Sequence, residues 1–211
     1  LVFLVIAFAY IKYSNEIYES NAKIKILDKK QSALEMPTAE DLFSSSKINL
    51  ENEIEIITSY SILEQVVKNL NLNIKFFNIG NIKTSLITNP PFSFKSKIHP
   101  DSIKEMQFRL SLIDKGLEVV EYQNNEKKYL FKSFSTTETQ HELPFEINNI
   151  NKNQWPEKGI YINFTPTTET VTILKDKIKA KTIGKSSDII MLTFNSENIL
   201  YSCTILNELI D

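Results

Sequence analysis

The first residues that could do chemistry are Gly184-Lys185-Ser186-Ser187, which have the composition of the end of a phosphate-binding loop. Such a loop needs another glycine five residues before its final Gly-Lys pair, so that backbone N–H groups wrap the phosphates. That position holds Lys179, and the segment leads into a strand pattern rather than a helix. We therefore interpret the segment as a turn before a strand and not as a nucleotide site.

Three acidic residues at alternate positions, Glu51, Glu53 and Glu55, are the next candidates. Two carboxylates facing each other across a cleft can hydrolyse a glycosidic bond. Alternate spacing on a helix, however, points these side chains in different directions. The chain also has no Gly-x-Ser-x-Gly elbow for a nucleophilic serine. The sequence therefore predicts no catalytic residue and no enzymatic activity; a hydrolase whose carboxylates meet only in the fold is the alternative.

Three aromatic residues that lie close together in the chain could bind a sugar: Trp155, Tyr161 and Phe164. An aromatic ring has a flat apolar face against which a pyranose ring can stack. Packing is the alternative, because Trp155 precedes a proline that closes a loop and alternating aromatic residues also build β-sheet cores. The sequence leaves both interpretations open: a glycan-contact site or a hydrophobic core.

The composition argues against several other classes of site. Two histidines and one cysteine, His99, His141 and Cys203, offer little material for a zinc site, so we predict no metal and no cofactor. Lysine and arginine number 24 against 26 aspartates and glutamates, for a net charge of -2. Nucleic-acid binding needs a basic excess that this chain lacks. A hydrophobic content of 42% is that of a folded globular protein.

The periodicity of apolar residues predicts the elements that position these side chains. Residues 18–27 alternate apolar and polar side chains, which predicts a half-buried strand. Three-and-four spacing predicts a helix over 49–72, capped by Asn49 and broken around 58–61. The polar residues 29–46 between them predict a loop.

The middle of the chain has the pattern of an antiparallel sandwich or barrel, with short alternating runs separated by turn residues. The predicted strands are 92–98, 106–113, 117–122, 129–134, 160–164 and 170–178. A last strand over 188–194 leads into a helix that Ser196 is expected to cap. The apolar face predicted for this helix consists of Ile199, Cys203, Leu206 and Ile210.

These elements predict the fold class α+β. The two ends of the chain, residues 14–81 and 183–211, are expected to form a base α/β layer, and residues 82–182 an inserted antiparallel, β-rich domain. Residues 1–10 form an apolar run about half as long as the roughly 20 residues that span a bilayer. We expect residues 1–13 to be the C-terminal half of a transmembrane helix, with a buried N-terminal strand or helix as the alternative.

The surface of the predicted 49–72 helix is a candidate contact between identical chains. Its apolar residues fit a stripe that faces the core, which leaves other faces for polar side chains. The candidate contact residues are Glu51, Glu55, Tyr60, Gln65 and Lys68. The same face could equally be plain solvated surface.

The order of these segments resembles the periplasmic region of the polysaccharide co-polymerases, which include chain-length determinant (Wzz-like) proteins and bacterial tyrosine autokinases (Wzc-like). The resemblance is carried by residues 18–28 (YESNAKIKILD) and by the helix 52–72 (NEIEIITSYSILEQVVKNLNL). Further on it includes Leu143-Pro144-Phe145 and the strand at 184–194 (GKSSDIIMLTF) with the helix after it. No single motif is diagnostic, but their order covers essentially the whole chain.

The resemblance implies a domain on the periplasmic side of a bacterial inner membrane, anchored in the bilayer by its N-terminal helix and assembled with copies of itself into a ring. It implies a scaffold that regulates the length or export of a capsular, exopolysaccharide or O-antigen polymer, with the polysaccharide and polymerase or export proteins as further partners. In that family a coiled coil and a second transmembrane helix follow such a domain, and often a cytoplasmic kinase domain as well. The alternative function is a carbohydrate-binding β-sandwich that contacts the polymer directly through Trp155, Tyr161 and Phe164.

Overall fold

The computed structural model describes residues 2–14, 16–26, 50–80, 83–122, 127–136, 143–184 and 188–211. The predicted loop over 29–46, the predicted cap Asn49, His141 and residues 185–187 lie outside these ranges. The helices are α1 (Val2–Tyr13), α2 (Leu50–Ile57), α3 (Tyr60–Asn69), α4 (Thr167–Lys177) and α5 (Ile199–Ile210). The strands are β1 (Tyr18–Lys25), β2 (Ile74–Ile79), β3 (Thr84–Ile87), β4 (Ser93–Ser96), β5 (Met106–Ile113), β6 (Gly116–Glu121), β7 (Lys127–Phe131), β8 (Phe145–Asn148), β9 (Ile160–Phe164), β10 (Ile178–Thr182) and β11 (Ile189–Ser196).

The predicted fold class α+β is confirmed, with 34% of the described residues in helices and 37% in strands. The strands form a three-stranded sheet (β1-β11-β10), a six-stranded sheet (β3-β2-β9-β5-β6-β7) and a two-stranded sheet (β4-β8). All pairings between the described strands are antiparallel, and these sheets do not close into a barrel. The antiparallel pattern agrees with the short alternating runs of the sequence.

The three-stranded sheet joins the two ends of the chain, as the sequence predicts. Strand β1 lies antiparallel to β11, with Tyr18 opposite Ser196. Helices α3, α4 and α5 cover this sheet with apolar side chains. This base cluster contains Leu63, Val66, Val67, Leu72, Val171, Leu174, Ile178, Ile190, Leu192, Phe194, Ile205, Leu206 and Leu209. A buried hydrogen bond of 2.6 Å between the Ser20 and Ser202 hydroxyls ties β1 to α5.

The six-stranded sheet buries one face against the β4-β8 pair. Alternate residues of its strands point into this second cluster, which is rich in aromatic rings. The sheet cluster contains Ile74, Phe92, Ile103, Phe108, Leu110, Leu117, Val119, Tyr129, Phe131, Leu143, Phe145, Ile147, Ile160, Ile162 and Phe164. The Phe145 ring meets the Phe108 ring edge to face at 5.0 Å and stacks on Phe164 at 5.9 Å. Such ring pairs add specific geometry to apolar burial.

The helix predicted over 49–72 is broken between α2 and α3, within the predicted 58–61 interval. The Ser59 hydroxyl accepts a hydrogen bond from the Ile62 backbone N–H at 3.5 Å and caps α3. An N-cap serine satisfies a backbone donor that the first helical turn leaves unpaired, so the chain can restart a helix in a new direction.

Two sequence predictions in the C-terminal third were wrong. The strand predicted over 170–178 is mostly helix α4, because the buried residues Thr167, Thr170, Val171 and Leu174 follow a helical spacing that outweighs the strand preference of β-branched side chains. Helix α5 is capped by Asn198 rather than by Ser196, and it buries Ser202, Ile205, Leu206 and Leu209. The predicted stripe was therefore rotated: Ile199, Cys203 and Ile210 are exposed, and only Leu206 is buried.

The two apolar clusters do not follow the sequence boundaries of the expected domains. Strand β2 belongs to the six-stranded sheet, whereas α4 and β10 pack with the base cluster. The division into 14–81, 82–182 and 183–211 stays a prediction. In the ranges that the structure describes, no helix is both long enough and apolar enough to cross a membrane.

Candidate functional site

The candidate contact residues lie along α2 and α3. Glu51, Glu55, Tyr60 and Gln65 have exposed side chains, and Lys68 is half-buried. The apolar side chain of Ile56 is also exposed on α2. The structure thus places all five predicted residues on two consecutive helices, outside the buried part of the base cluster.

Lys68 is held in an ion-pair network within the chain. Its Nζ lies 2.7 Å from Asp101 Oδ1 and 3.1 Å from Glu64 Oε1. His99 Nδ1 lies 3.5 Å from the other oxygen of Asp101. The hydrogen bond from Lys68 is the main reason that the pKa of Asp101 is lowered, and the charges of Lys68 and His99 lower it further. The same contacts raise the pKa of Lys68. The network links α3 to the short 3-10 helix Pro100–Ser102.

We expect the Asp101 carboxylate to titrate below the ordinary aspartate range. Because its pKa is lower in the folded than in the unfolded chain, its stabilising contribution is complete above about pH 4 and is lost as the pH falls through the lowered value. Following the Asp101 carboxyl carbon by NMR during an acid titration measures the midpoint. In Lys68→Met the midpoint should rise, whereas Lys104→Met, at an exposed lysine, should leave it unchanged. An unaltered midpoint in Lys68→Met would contradict the role of this ion pair.

The structure does not bring the three candidate glycan-contact residues together. Phe164 is 1% exposed and lies inside the sheet cluster. Trp155 packs against Phe92, with ring centroids 5.5 Å apart, and its indole N–H is buried without a partner among the described residues. Tyr161 points to the opposite side of β9. Of the three, Tyr161 is the residue that faces away from the core, and glycan binding by this trio stays a prediction.

Tyr161 belongs to a polar and aromatic surface on the side of the six-stranded sheet away from the core. We call this surface the outer face. Along each strand its residues alternate with residues of the sheet cluster. The outer face consists of Lys75, Phe77, Gln107, Arg109, Val120, Tyr122, Tyr161 and Asn163. The Tyr122 and Tyr161 rings meet edge to face at 5.8 Å. A hydrogen bond with Tyr122 is the main cause of the raised pKa of Tyr161, and burial raises it further.

Two further contacts fix polar side chains on the outer face. The Gln107 side-chain amide donates to Asn163 Oδ1 at 3.0 Å. Arg109 Nη2 donates to the backbone carbonyl of Lys158 at 3.2 Å. The sequence signal was present, because polar residues alternate with buried apolar ones in β5 and β9. Local alternation alone, however, does not tell which strands are neighbours.

A cleft of about 590 Å³ separates the two apolar clusters. Its lining includes Leu72, Ile74, Phe94 and Tyr201. Burial raises the pKa of Tyr201 to about 12, so this phenol is neutral at physiological pH. The lining is mainly apolar and also includes Lys75 and Lys95, so the cleft offers mostly apolar contact.

Helix α1 is apolar except for its last turn, and none of its described side chains belongs to either apolar cluster. Its described apolar side chains are strongly exposed, with Phe3 at 86%. The one charged residue is Lys12, in the last turn. A helix that is apolar on all sides is normally buried in protein or in lipid.

Comparison with known proteins gives one family match. No curated protein matches the chain. Residues 1–70, the part of the chain that contains α1, β1, α2 and α3, match the family model described as "Wzz: Chain length determinant protein". The matched segment is about a third of the 211 residues. This match supports the polysaccharide co-polymerase family for the chain.

Proposed function

We propose that this protein is a membrane-tethered periplasmic scaffold that regulates the length or export of a capsular, exopolysaccharide or O-antigen polymer. The observation that carries the proposal is the match of residues 1–70 to the chain length determinant family, which supports a role in controlling polysaccharide polymerisation. Chain length determinants are non-enzymatic regulators, and we propose no reaction for this chain. The β-rich middle of the chain favours the autokinase branch of the family over its simple chain-length regulators.

The tether in this proposal is α1. Exposed apolar side chains such as Phe3, Leu4 and Phe8 are unfavourable in water and favourable in the hydrocarbon region of a bilayer. Lys12 lies at the end of α1 nearest the folded part of the chain, where a long cationic side chain can reach the lipid headgroups. This arrangement supports a membrane anchor. The bacterial inner membrane and the periplasmic side are proposed from the resemblance to the polysaccharide co-polymerases.

The scaffold would form by lateral contact between copies through the exposed surface of α2 and α3. Charged surface contacts are individually weak. Tethering copies to one membrane raises their effective concentration, so that weak contacts are enough to hold a ring together. Such a ring could position the growing polysaccharide and the polymerase or export proteins.

Native mass spectrometry of the full chain, released from nanodiscs, tests the scaffold. We expect assemblies at multiples of the 24.4 kDa subunit mass. Glu55→Lys with Gln65→Lys reverses or adds charge on the proposed contact and should raise the dissociation constant of the assembly about tenfold or more. The control, Glu105→Lys, changes an exposed acid away from α2 and α3 and should leave assembly intact. A wild-type chain that remains monomeric at all concentrations would refute the scaffold.

A further inference from the structure

We propose that the outer face of the six-stranded sheet binds an internal segment of an acidic polysaccharide, with the Tyr122 and Tyr161 rings against the sugars and Arg109 and Lys75 holding their carboxylates. The proposal rests on the proposed function, since the ligand is the polymer whose length the scaffold regulates. It differs from the trio predicted from the sequence, because Trp155 and Phe164 take no part.

Strand register places these residues in two adjacent rows. Arg109 of β5 lies opposite Tyr161 of β9. In the next row Asn163 lies between Gln107 on one side and Lys75 on the other. The Tyr122 backbone N–H donates to the Gln107 carbonyl, which puts Tyr122 at the end of that second row. The tyrosine rings therefore meet above β5, between its two polar side chains.

The side chains of the outer face are those that recognise sugars. Aromatic rings supply flat apolar contact, and a few fixed polar groups supply orientation. The Gln107–Asn163 amide pair offers both donors and acceptors for sugar hydroxyls. These groups are held by neighbours rather than free to rotate, so little conformational entropy is lost when a ligand binds. The side chains are half-exposed, and solvent reaches them across the described part of the sheet.

Charge favours an acidic polymer over a neutral one. The charged residues at the outward positions of β2, β5, β6, β7 and β9 are Lys75, Arg109, Glu118 and Lys128. Lys128 Nζ pairs with Glu118 Oε1 at 2.5 Å, which cancels two of the four charges. Neither Lys75 nor Arg109 has an ion-pair partner among the described residues. The face therefore has a local excess of two positive charges on a chain whose net charge is -2.

The environments of the two cations suit a bound anion. Burial and the nearby Lys177 lower the pKa of Lys75, so a carboxylate beside it would relieve an unfavourable environment. The Arg109 guanidinium is held at one end by the Lys158 carbonyl. A guanidinium can then present its remaining donors to a carboxylate in a fixed geometry. An open sheet face has no end wall, so it suits the interior of a long chain rather than its terminus.

Calorimetric titration of the full chain in detergent tests the proposal, with hexagalacturonate as the acidic probe and maltohexaose as the neutral one. We expect saturable binding of hexagalacturonate that weakens as salt is added, and binding of maltohexaose that is about tenfold weaker or absent. Tyr122→Ala and Arg109→Gln should each raise the dissociation constant about tenfold.

Matched controls exclude general effects of the substitutions. Tyr18 has the same exposure as Tyr122, 37%, but lies on β1, so Tyr18→Ala should bind hexagalacturonate like the wild type. Lys104→Gln also removes one positive charge, at an exposed residue outside the strands, and is the control for Arg109→Gln. If Tyr122→Ala or Arg109→Gln impairs folding, Gln107→Leu and Tyr161→Phe replace them. Gln107→Leu removes the side-chain amide and is expected to lower the affinity for hexagalacturonate. Tyr161→Phe keeps the aromatic ring and is expected to keep most of the binding.

The outcomes separate this inference from the scaffold. Unchanged affinity in Tyr122→Ala and Arg109→Gln, or equal binding of the two probes, would overturn the outer-face site. Native mass spectrometry of the same samples reports the assembly independently. Assemblies without glycan binding would leave the scaffold standing and remove this inference, and glycan binding by a monomer would do the reverse.

Discussion

Leu110→Ala lowers the free energy of unfolding by about 2–5 kcal/mol, the range for a leucine truncated in a packed core. Leu110 is 0% exposed and lies in β5, at the centre of the sheet cluster. Its removal leaves a cavity bounded by paired strands on both sides, β6 and β9, whose backbone hydrogen bonds limit how far they can move to fill the space. The loss should therefore fall in the upper part of that range.

Leu130→Ala is the matched control. It makes the same chemical change in the same sheet, but Leu130 is 63% exposed on β7. Its expected effect is within about 0.5 kcal/mol. Guanidinium denaturation followed by circular dichroism measures the midpoint and slope of both variants. Equal shifts in the two midpoints would contradict the described core.

Gly159→Ala should destabilise the protein by about 3 kcal/mol or more. Gly159 has φ +95°, a conformation that glycine adopts freely and alanine does not, at a cost of about 1–3 kcal/mol. A Cβ there would also lie 2.2 Å from the Leu110 carbonyl oxygen, a contact that backbone atoms cannot relieve without shifting β5 or the turn. The Gly159 carbonyl accepts a hydrogen bond from the Ile79 N–H, so β2 would be disturbed as well.

The same substitution should weaken hexagalacturonate binding, because Gly159 follows the residue whose carbonyl holds Arg109. Lys158→Ala keeps that backbone carbonyl and changes an exposed side chain, so we expect it to alter stability by no more than about 0.5 kcal/mol. Thermal unfolding measures the first effect and calorimetric titration the second. An alanine variant as stable as the wild type would rule out the backbone conformation described for Gly159.

The sequence was a good guide to the fold where local pattern and tertiary contact agree. The alternation in 18–27 predicted β1, and the break expected around 58–61 in the 49–72 helix is present between α2 and α3. It failed where they conflict: the β-branched residues around Thr170 and Val171 favour a strand locally, yet their packing on the base cluster makes a helix. The face of α5 was predicted wrongly because a buried serine, Ser202, is satisfied by Ser20, a partner far away in the chain.

The outer face was harder to predict than the fold. Residues 161 and 164 are an odd number of positions apart, so on one strand they point to opposite sides, and the sequence alone could have separated Tyr161 from Phe164. The neighbours of Tyr161 could not be found in this way. Arg109 and Tyr122 lie beside Tyr161 because of the register in which β5 pairs with β9 and with β6. The periodicity within one strand carries no information about that register.

The pairing of β1 with β11 has a consequence for synthesis on the ribosome. The partners Tyr18 and Ser196 are about 180 residues apart in the chain. At roughly 5–20 residues translated per second, β1 waits about 10–35 seconds for its partner. Until then its edge has unpaired N–H and C=O groups that another nascent strand could bind. The six-stranded sheet, whose strands are all translated earlier, can mature first, and closure of the base is the late step in biogenesis.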